Sequence, residues 1–112
     1  MVYLLKKQNN KKVSVRDNSL RWYAIIFYMN YVYILKSSVD DELYIGSTND
    51  LKRRFKEHNT KKSFSTSWRG PFELVYYEAY KNLEDARDRE RALKLRGNSR
   101  KHVINRIQRS MK

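Results

Sequence analysis

The stretch YVYILKSSVDDELYIG, residues 31–46, decides the fold. Its first five residues, YVYIL, are β-branched, aromatic or aliphatic, which is the composition of a strand. Lys36, Ser37, Ser38, Val39, Asp40 and Asp41 form a mostly polar run that suits a turn. Leu43, Tyr44, Ile45 and Gly46 read as a second strand, so the stretch is an antiparallel hairpin. With the turn centred on Ser38 and Val39, Tyr33 stands directly opposite Tyr44 and both phenols share one face. In a chain with nine tyrosines, that pairing alone is ordinary strand composition. Asp40, Asp41 and Glu42 are turn and solubility residues on this reading, not a metal cluster.

Downstream, Ser47, Thr48, Asn49 and Asp50 supply N-cap chemistry, and Leu51 and Phe55 recur at i and i+4. The spacing predicts a helix over 50–59. Residues 60–70 are a polar and basic loop closed by Gly70-Pro71, and FELVYYEAY at 72–80 is a third strand. Asn82, Glu84 and Asp85 open another helix, with Leu83, Ala86 and Leu93 on one face and Gly97 and Asn98 as its C-cap. A last basic helix carries Val103, Ile104 and Ile107. The order β-β-α-β-α-α, without internal repeats, is an α+β arrangement: a small antiparallel sheet with helices packed on it.

Upstream the character changes. Residues 6–12 read KKQNNKK and show no period, while LRWYAIIFY at 20–28 suits a strand or an apolar helix turn. The expected organisation is one domain over 29–112, preceded by residues 1–28 as a poorly ordered extension or as sequence upstream of a true start at Met29. The longest apolar run, Trp22 to Met29, is far short of the roughly 20 residues a membrane span requires. It follows a basic stretch, as in a signal peptide, but is short and aromatic and lacks a small-residue cleavage site after it.

Lys and Arg number 25 against 12 acids, a formal net charge of +13 on 112 residues. Such a surface concentrates polyanions, either nucleic acid or an anionic membrane surface. Charge alone separates neither DNA from RNA nor binding from cutting. The absence of cysteine excludes disulfides and thiolate metal sites and favours a cytoplasmic setting. No phosphate-binding glycine loop, Ser-His-Asp set or zinc site is recognisable.

Three positions carry candidate chemistry. Arg54 and His58, four apart, share a helix face at the edge of the buried stripe. Arg54 there can fork onto a phosphate, and His58 can hydrogen-bond a reacting oxygen, although pattern alone favours a solvated basic face for His58, as for Arg53 and Lys56. Glu90 falls in the stripe of Leu83, Ala86 and Leu93, amid Arg87, Arg89 and Arg91. An inward carboxylate needs a partner or a metal. Mg²⁺ is served by one carboxylate plus phosphate and water oxygens, and an internal ion pair with a nearby Arg or Lys is equally open. Arg53, Lys56, Lys61, Lys62, Arg69, Lys94, Arg100 and Lys101 are candidates for contacting a DNA backbone. Each such contact adds about 0.9 to the salt slope on duplex DNA.

These pieces together resemble the GIY-YIG nuclease family. Tyr31-Val32-Tyr33 stands where the family has its GIY element and Tyr44-Ile45-Gly46 where it has YIG, continuing through Ser47 to His58. Glu90, followed by Leu93-Lys94, resembles the family's late helix with its metal-binding Glu. The likeness runs from about Met29 to Ile107 and is strongest to short bacterial single-domain members, related to the nuclease half of the excision-repair incision subunit. It implies a three-stranded antiparallel sheet flanked by helices and hydrolysis of DNA with one divalent metal, in DNA repair or recombination. On that likeness Glu90 holds Mg²⁺ or Mn²⁺ and Arg54 stabilises charge on the pentavalent phosphate. Tyr33 positions or deprotonates the attacking water, while Tyr44 and His58 complete the pocket. A free phenol has a pKa of about 10, so Tyr33 serves as a base only if Arg54, another cation or the metal favours its phenolate. Two departures stand out: Tyr31 replaces the motif's glycine, and the Asn that often follows the metal Glu aligns only loosely, with Asn105. The competing reading is a non-catalytic nucleic-acid-binding module on the same fold.

Overall fold

The structure, a computed structural model, describes residues 28–60 and 69–112. The expected extension, apart from Tyr28, and the candidate contacts Lys61 and Lys62 lie outside the described residues. The elements are β1 (Asn30–Ser37), β2 (Leu43–Thr48), α1 (Leu51–Asn59), β3 (Phe72–Tyr80), α2 (Leu83–Lys94) and α3 (Asn98–Arg106). The expected order holds. The three strands form one antiparallel sheet, β2-β1-β3, with β1 central. Among the described residues no helix is long and apolar enough to cross a membrane.

The hairpin register differs from the expected one. Tyr33 faces Gly46, and Tyr44 faces Leu35, so the turn centres on Val39 and Asp40. Fully buried Ser37 is the reason. Its Oγ accepts from the Val39 and Asp40 amides at 3.1 and 3.4 Å and donates to the Arg69 carbonyl at 2.6 Å. The Ser37 amide donates to the Glu42 carbonyl at 2.9 Å, and the Asp41 amide to the Ser37 carbonyl at 3.0 Å. Asp41 takes the left-handed conformation, φ 59°, which Asp tolerates better than most residues. The displacement is two residues, and side chains alternate with period two. Tyr33 and Tyr44 therefore keep a common face as diagonal neighbours.

An apolar cluster lies on each face of the sheet. Val32, Ile34 and Ile45 pack with Ala86, Leu93, Val103 and Ile107 from the α2–α3 side. Tyr33, Leu35 and Phe72 pack with Tyr44, Leu51, Phe55 and Leu74 on the α1 side. This explains why β1 reads as a continuous apolar run rather than a polar alternation. A bulge in β3 shifts its register between Ile34 and Leu35, which puts Leu74 opposite Leu35 and Tyr76 opposite Ile34. Asn59 ties the end of α1 to β3: its Nδ2 donates to the Phe72 carbonyl at 3.2 Å and its Oδ1 accepts from the Phe72 amide at 2.6 Å.

Helix α2 departs from expectation at both ends. Ala86 and Leu93 are fully buried, but Leu83 is 44% exposed. Asn82 Oδ1 caps the Glu84 and Asp85 amides, and this exposed polar turn precedes the part of the helix that meets the sheet. The helix stops at Lys94, where Leu95 turns to extended backbone, and Gly97 caps the start of α3 instead of the end of α2. With Leu93 the last buried anchor of α2 and Val103 the next, the chain has to turn between them.

Candidate active site

Tyr33, on the central strand, is 1% exposed, and its ring lies across the facing Gly46. A Cβ at Gly46 would stand 2.5 Å from Tyr33 Oη, 2.7 Å from its Cζ and 3.1 Å from Tyr44 Cε1. The glycine leaves the space that the phenol occupies. Gly46→Ala is expected to displace Tyr33 and to lower the unfolding free energy by about 1–3 kcal/mol, the usual cost of overpacking. Urea unfolding measures it, and an unchanged midpoint would refute the steric role.

His58 is not on a solvated face. It is 1% exposed, and its Nε2 lies 2.9 Å from Tyr33 Oη. Its ring centroid is 4.7 Å from that of Tyr44 and 6.1 Å from that of Phe72. The reason is positional: Leu51, Phe55 and His58 fall at i, i+4 and i+7, one buried stripe of α1. Burial, and then the Arg54 charge, push the His58 pKa down to about 4, so the imidazole is neutral at pH 7.

That shift carries a stability prediction. In the unfolded chain His58 takes its proton near 6.5, in the folded chain near 4. Between these values the unfolded chain binds more protons. The contribution is therefore fully present above about pH 6.5 and declines as pH falls toward 4, by about 3 kcal/mol in all. The stability gap between wild type and His58→Gln should narrow by that order between pH 7 and pH 4 in urea unfolding. A gap independent of pH would sink the assignment.

Arg54 reaches the same cluster from the preceding turn of α1. Its guanidinium is electrostatically coupled to the Tyr33 and Tyr44 phenols, which hold its pKa up, and Nη1 lies 3.8 Å from Glu57. These contacts do not create a phenolate. Burial, then Tyr44, raise the Tyr33 pKa to about 12, and Arg54 offsets only part of that rise. The condition for Tyr33 to act as a free base is thus not met by Arg54. The Tyr33 hydroxyl is instead coupled to a neutral imidazole.

Glu90 comes from α2, on the other side of the sheet. Its Oε1 accepts from Ser47 Oγ at 2.8 Å and its Oε2 pairs with Lys94 Nζ at 3.0 Å. The side chain is 19% exposed, and its charge contributes to raising the Tyr33 pKa. Lys94, expected on a DNA backbone, is engaged with this carboxylate. Sequence reasoning missed Ser47, although strand alternation places it beside Ile45 on the α2 face. No group of three or more His, Cys, Asp or Glu side chains able to hold a metal occurs among the described residues. The residues fit a hard divalent cation in one way, through a single carboxylate with phosphate and water oxygens filling the shell. Oε2 already carries the Lys94 ammonium, which a metal at this oxygen would displace.

The remaining candidates are dispersed. Arg53 and Lys56 are exposed on α1, and Arg53 pairs with Asp50 at 4.0 Å. Arg69 is held by Asp40 at 3.3 Å and lies over the Phe72 ring. Arg100, Lys101 and Asn105 line an open pocket of about 260 Å³ on α3 with Arg96, Gly97 and Ile104. Asn105 makes no hydrogen bond to Glu90, whose described partners are Ser47 and Lys94.

Comparison with known proteins adds the family. The chain is 48% identical over 67 residues to a UPF0213 protein of Clostridium perfringens, covering 59% of this chain and 71% of that protein. It is 41% identical over 66 residues to a UPF0213 protein of Oceanobacillus iheyensis, covering 58% and 76%. The solution NMR structure of a UPF0213 protein from Bacillus halodurans is 36% identical, covers 68% of this chain and 81% of that one, and aligns with a TM-score of 0.44. The GIY-YIG catalytic domain model matches residues 29–103. The chain therefore belongs to the GIY-YIG family and carries its catalytic domain.

Proposed function

We propose that this chain is a metal-dependent endonuclease that hydrolyses DNA phosphodiester bonds with low sequence specificity. The observation that carries the reading is the convergence of Tyr33, Tyr44, Arg54 and His58, with a carboxylate on α2 whose charge reaches Tyr33. Arg54, the cation of this cluster, suits a phosphate, and phosphate contacts position a strand but carry no sequence information. A role in DNA repair or recombination, in the cytoplasm, goes with this reading.

In the proposed step Tyr33 Oη accepts a hydrogen bond from the attacking water while its own proton points to His58 Nε2. As water adds to phosphorus, its proton passes to Tyr33 and the phenol proton passes to His58. The bond from phosphorus to the leaving oxygen breaks, and that oxygen takes a proton from solvent. Arg54 is placed to neutralise charge on the phosphoryl oxygens. The phosphate in turn offsets the Arg54 charge that holds His58 down, so the relay becomes easier with substrate bound. Glu90 would hold Mg²⁺ or Mn²⁺, which when bound supplies Lewis-acid stabilisation of the phosphoryl oxygens.

The test is incubation of the purified chain with supercoiled, branched and single-stranded DNA in Mg²⁺, Mn²⁺ or EDTA. Nicking with metal and none with EDTA is expected. Binding without cleavage of any substrate would favour a non-catalytic nucleic-acid-binding module.

A further inference from the structure

The site's sheet face is only partly covered. In one row across it, Gly46 pairs with Tyr33 and Tyr33 pairs with Tyr77. Tyr33 lies over Gly46 on one side, and Tyr77 occupies the other. One step along the strand, Tyr31 pairs with Ala79. The apolar cluster beneath α1 includes neither Tyr31 nor Tyr77. Tyr77 is 53% exposed, and Tyr31 is half-buried. Their ring centroids are 5.9 Å apart at an interplanar angle of 63°. In this edge-to-face pair the edge of one ring meets a face of the other, and the exposure of Tyr77 leaves aromatic surface open to solvent.

We propose that Tyr31 and Tyr77 form a stacking platform for an unpaired DNA base next to the phosphate that enters the Tyr33–Arg54 cluster. Three features on this face argue for that occupant. The platform is continuous with the proposed site, because Tyr77 is the direct cross-strand neighbour of Tyr33. The phosphates on either side of such a base suit a chain of net charge +13. An aromatic face accepts any base, because every base has a π face, so the platform adds affinity without sequence readout. A base inside a duplex is already stacked on both sides and has no face to offer. The platform therefore selects strands with unpaired nucleotides over continuous duplex. It also gives Tyr31, where the family motif has glycine, a role that glycine has no ring to fill. The assignment rests on the nuclease reading for the position of the strand, while the stacking itself is a binding property.

Fluorescence anisotropy at one salt concentration tests it, with metal omitted to prevent cleavage. The probes are a labelled oligothymidylate, a base-free abasic oligomer of equal length, and a blunt duplex. Tyr77→Ala is expected to weaken oligothymidylate binding about five- to 150-fold, with the abasic oligomer and the duplex within about twofold of wild type. Tyr31→Ala should give the same selective loss, and Tyr77→Phe, which keeps the ring, should restore affinity. Equal losses on all probes, no loss on any, or failure of Tyr77→Phe to restore would overturn the proposal. Thermal melts of each variant report folding separately. If the wild type cuts no DNA but the selective loss is seen, the nuclease reading fails and the platform stands. If it cuts and the selective loss is absent, the platform alone fails.

Discussion

Glu90→Ala is expected to lower metal-dependent nicking of supercoiled DNA by a factor of about 10³ or more, with DNA affinity unchanged or slightly higher. Two effects combine. Removing the carboxylate leaves the proposed divalent ion without the side chain proposed to hold it. It also frees Lys94, now paired to Oε2, and Ser47 Oγ, now donating to Oε1. The released ammonium adds positive charge near the DNA, so binding does not fall with cleavage. Glu90→Gln separates chemistry from architecture, because the amide oxygen still accepts from Ser47 but binds a divalent ion poorly. Both variants should lose cleavage, and Glu90→Gln should retain wild-type stability more closely. Cleavage by Glu90→Ala at the wild-type rate would remove Glu90 from the site.

The second large effect is at Tyr33. Tyr33→Phe keeps the ring that fills the space over Gly46 and removes only the oxygen. The buried His58 Nε2 then loses its phenol partner at 2.9 Å. The expected stability loss is about 1–3 kcal/mol, the cost of stripping one partner from a buried polar atom. The expected fall in the cleavage rate constant is about 10²–10⁴, the range for losing a proton-transfer group. The drop should appear in the rate at saturating DNA, since in the proposed step the phenol meets the attacking water and not the bulk of the strand. A Phe variant that folds and cuts at close to the wild-type rate would end the proposed relay.

The site was legible in the sequence to different depths. Tyr33 and Tyr44 share a face on either hairpin register, because displacement by two residues preserves alternation. Their facing partners were not legible, since Ser37's side chain, bonded to Val39, Asp40 and the distant Arg69, selects the turn. Burial of His58 was readable in principle from the 51, 55, 58 stripe. The adjacent Arg53 and Lys56 masked it, because a cationic segment reads as solvated unless each position is assigned to a face. Glu90 was singled out for a stripe that in fact begins at Ala86. It still turns inward far enough to meet Ser47, but its ion pair with Lys94 is an i, i+4 contact, one of the two partners left open for it.

The sequence by itself determined the element order, the apolar central strand and the face shared by the two tyrosines. Those follow from local composition and from the periods of strand and helix. Tertiary structure alone decided the facing of Tyr33 with Gly46, the burial that lifts Tyr33 to about 12 and lowers His58 to about 4, and the bulge in β3. Those depend on what stands across from each residue, and desolvation exists only once the α1 side of the sheet has closed over the cluster. Adjacency across strands, which local pattern does not encode, also joins Tyr33 to Tyr77 and Tyr77 to Tyr31.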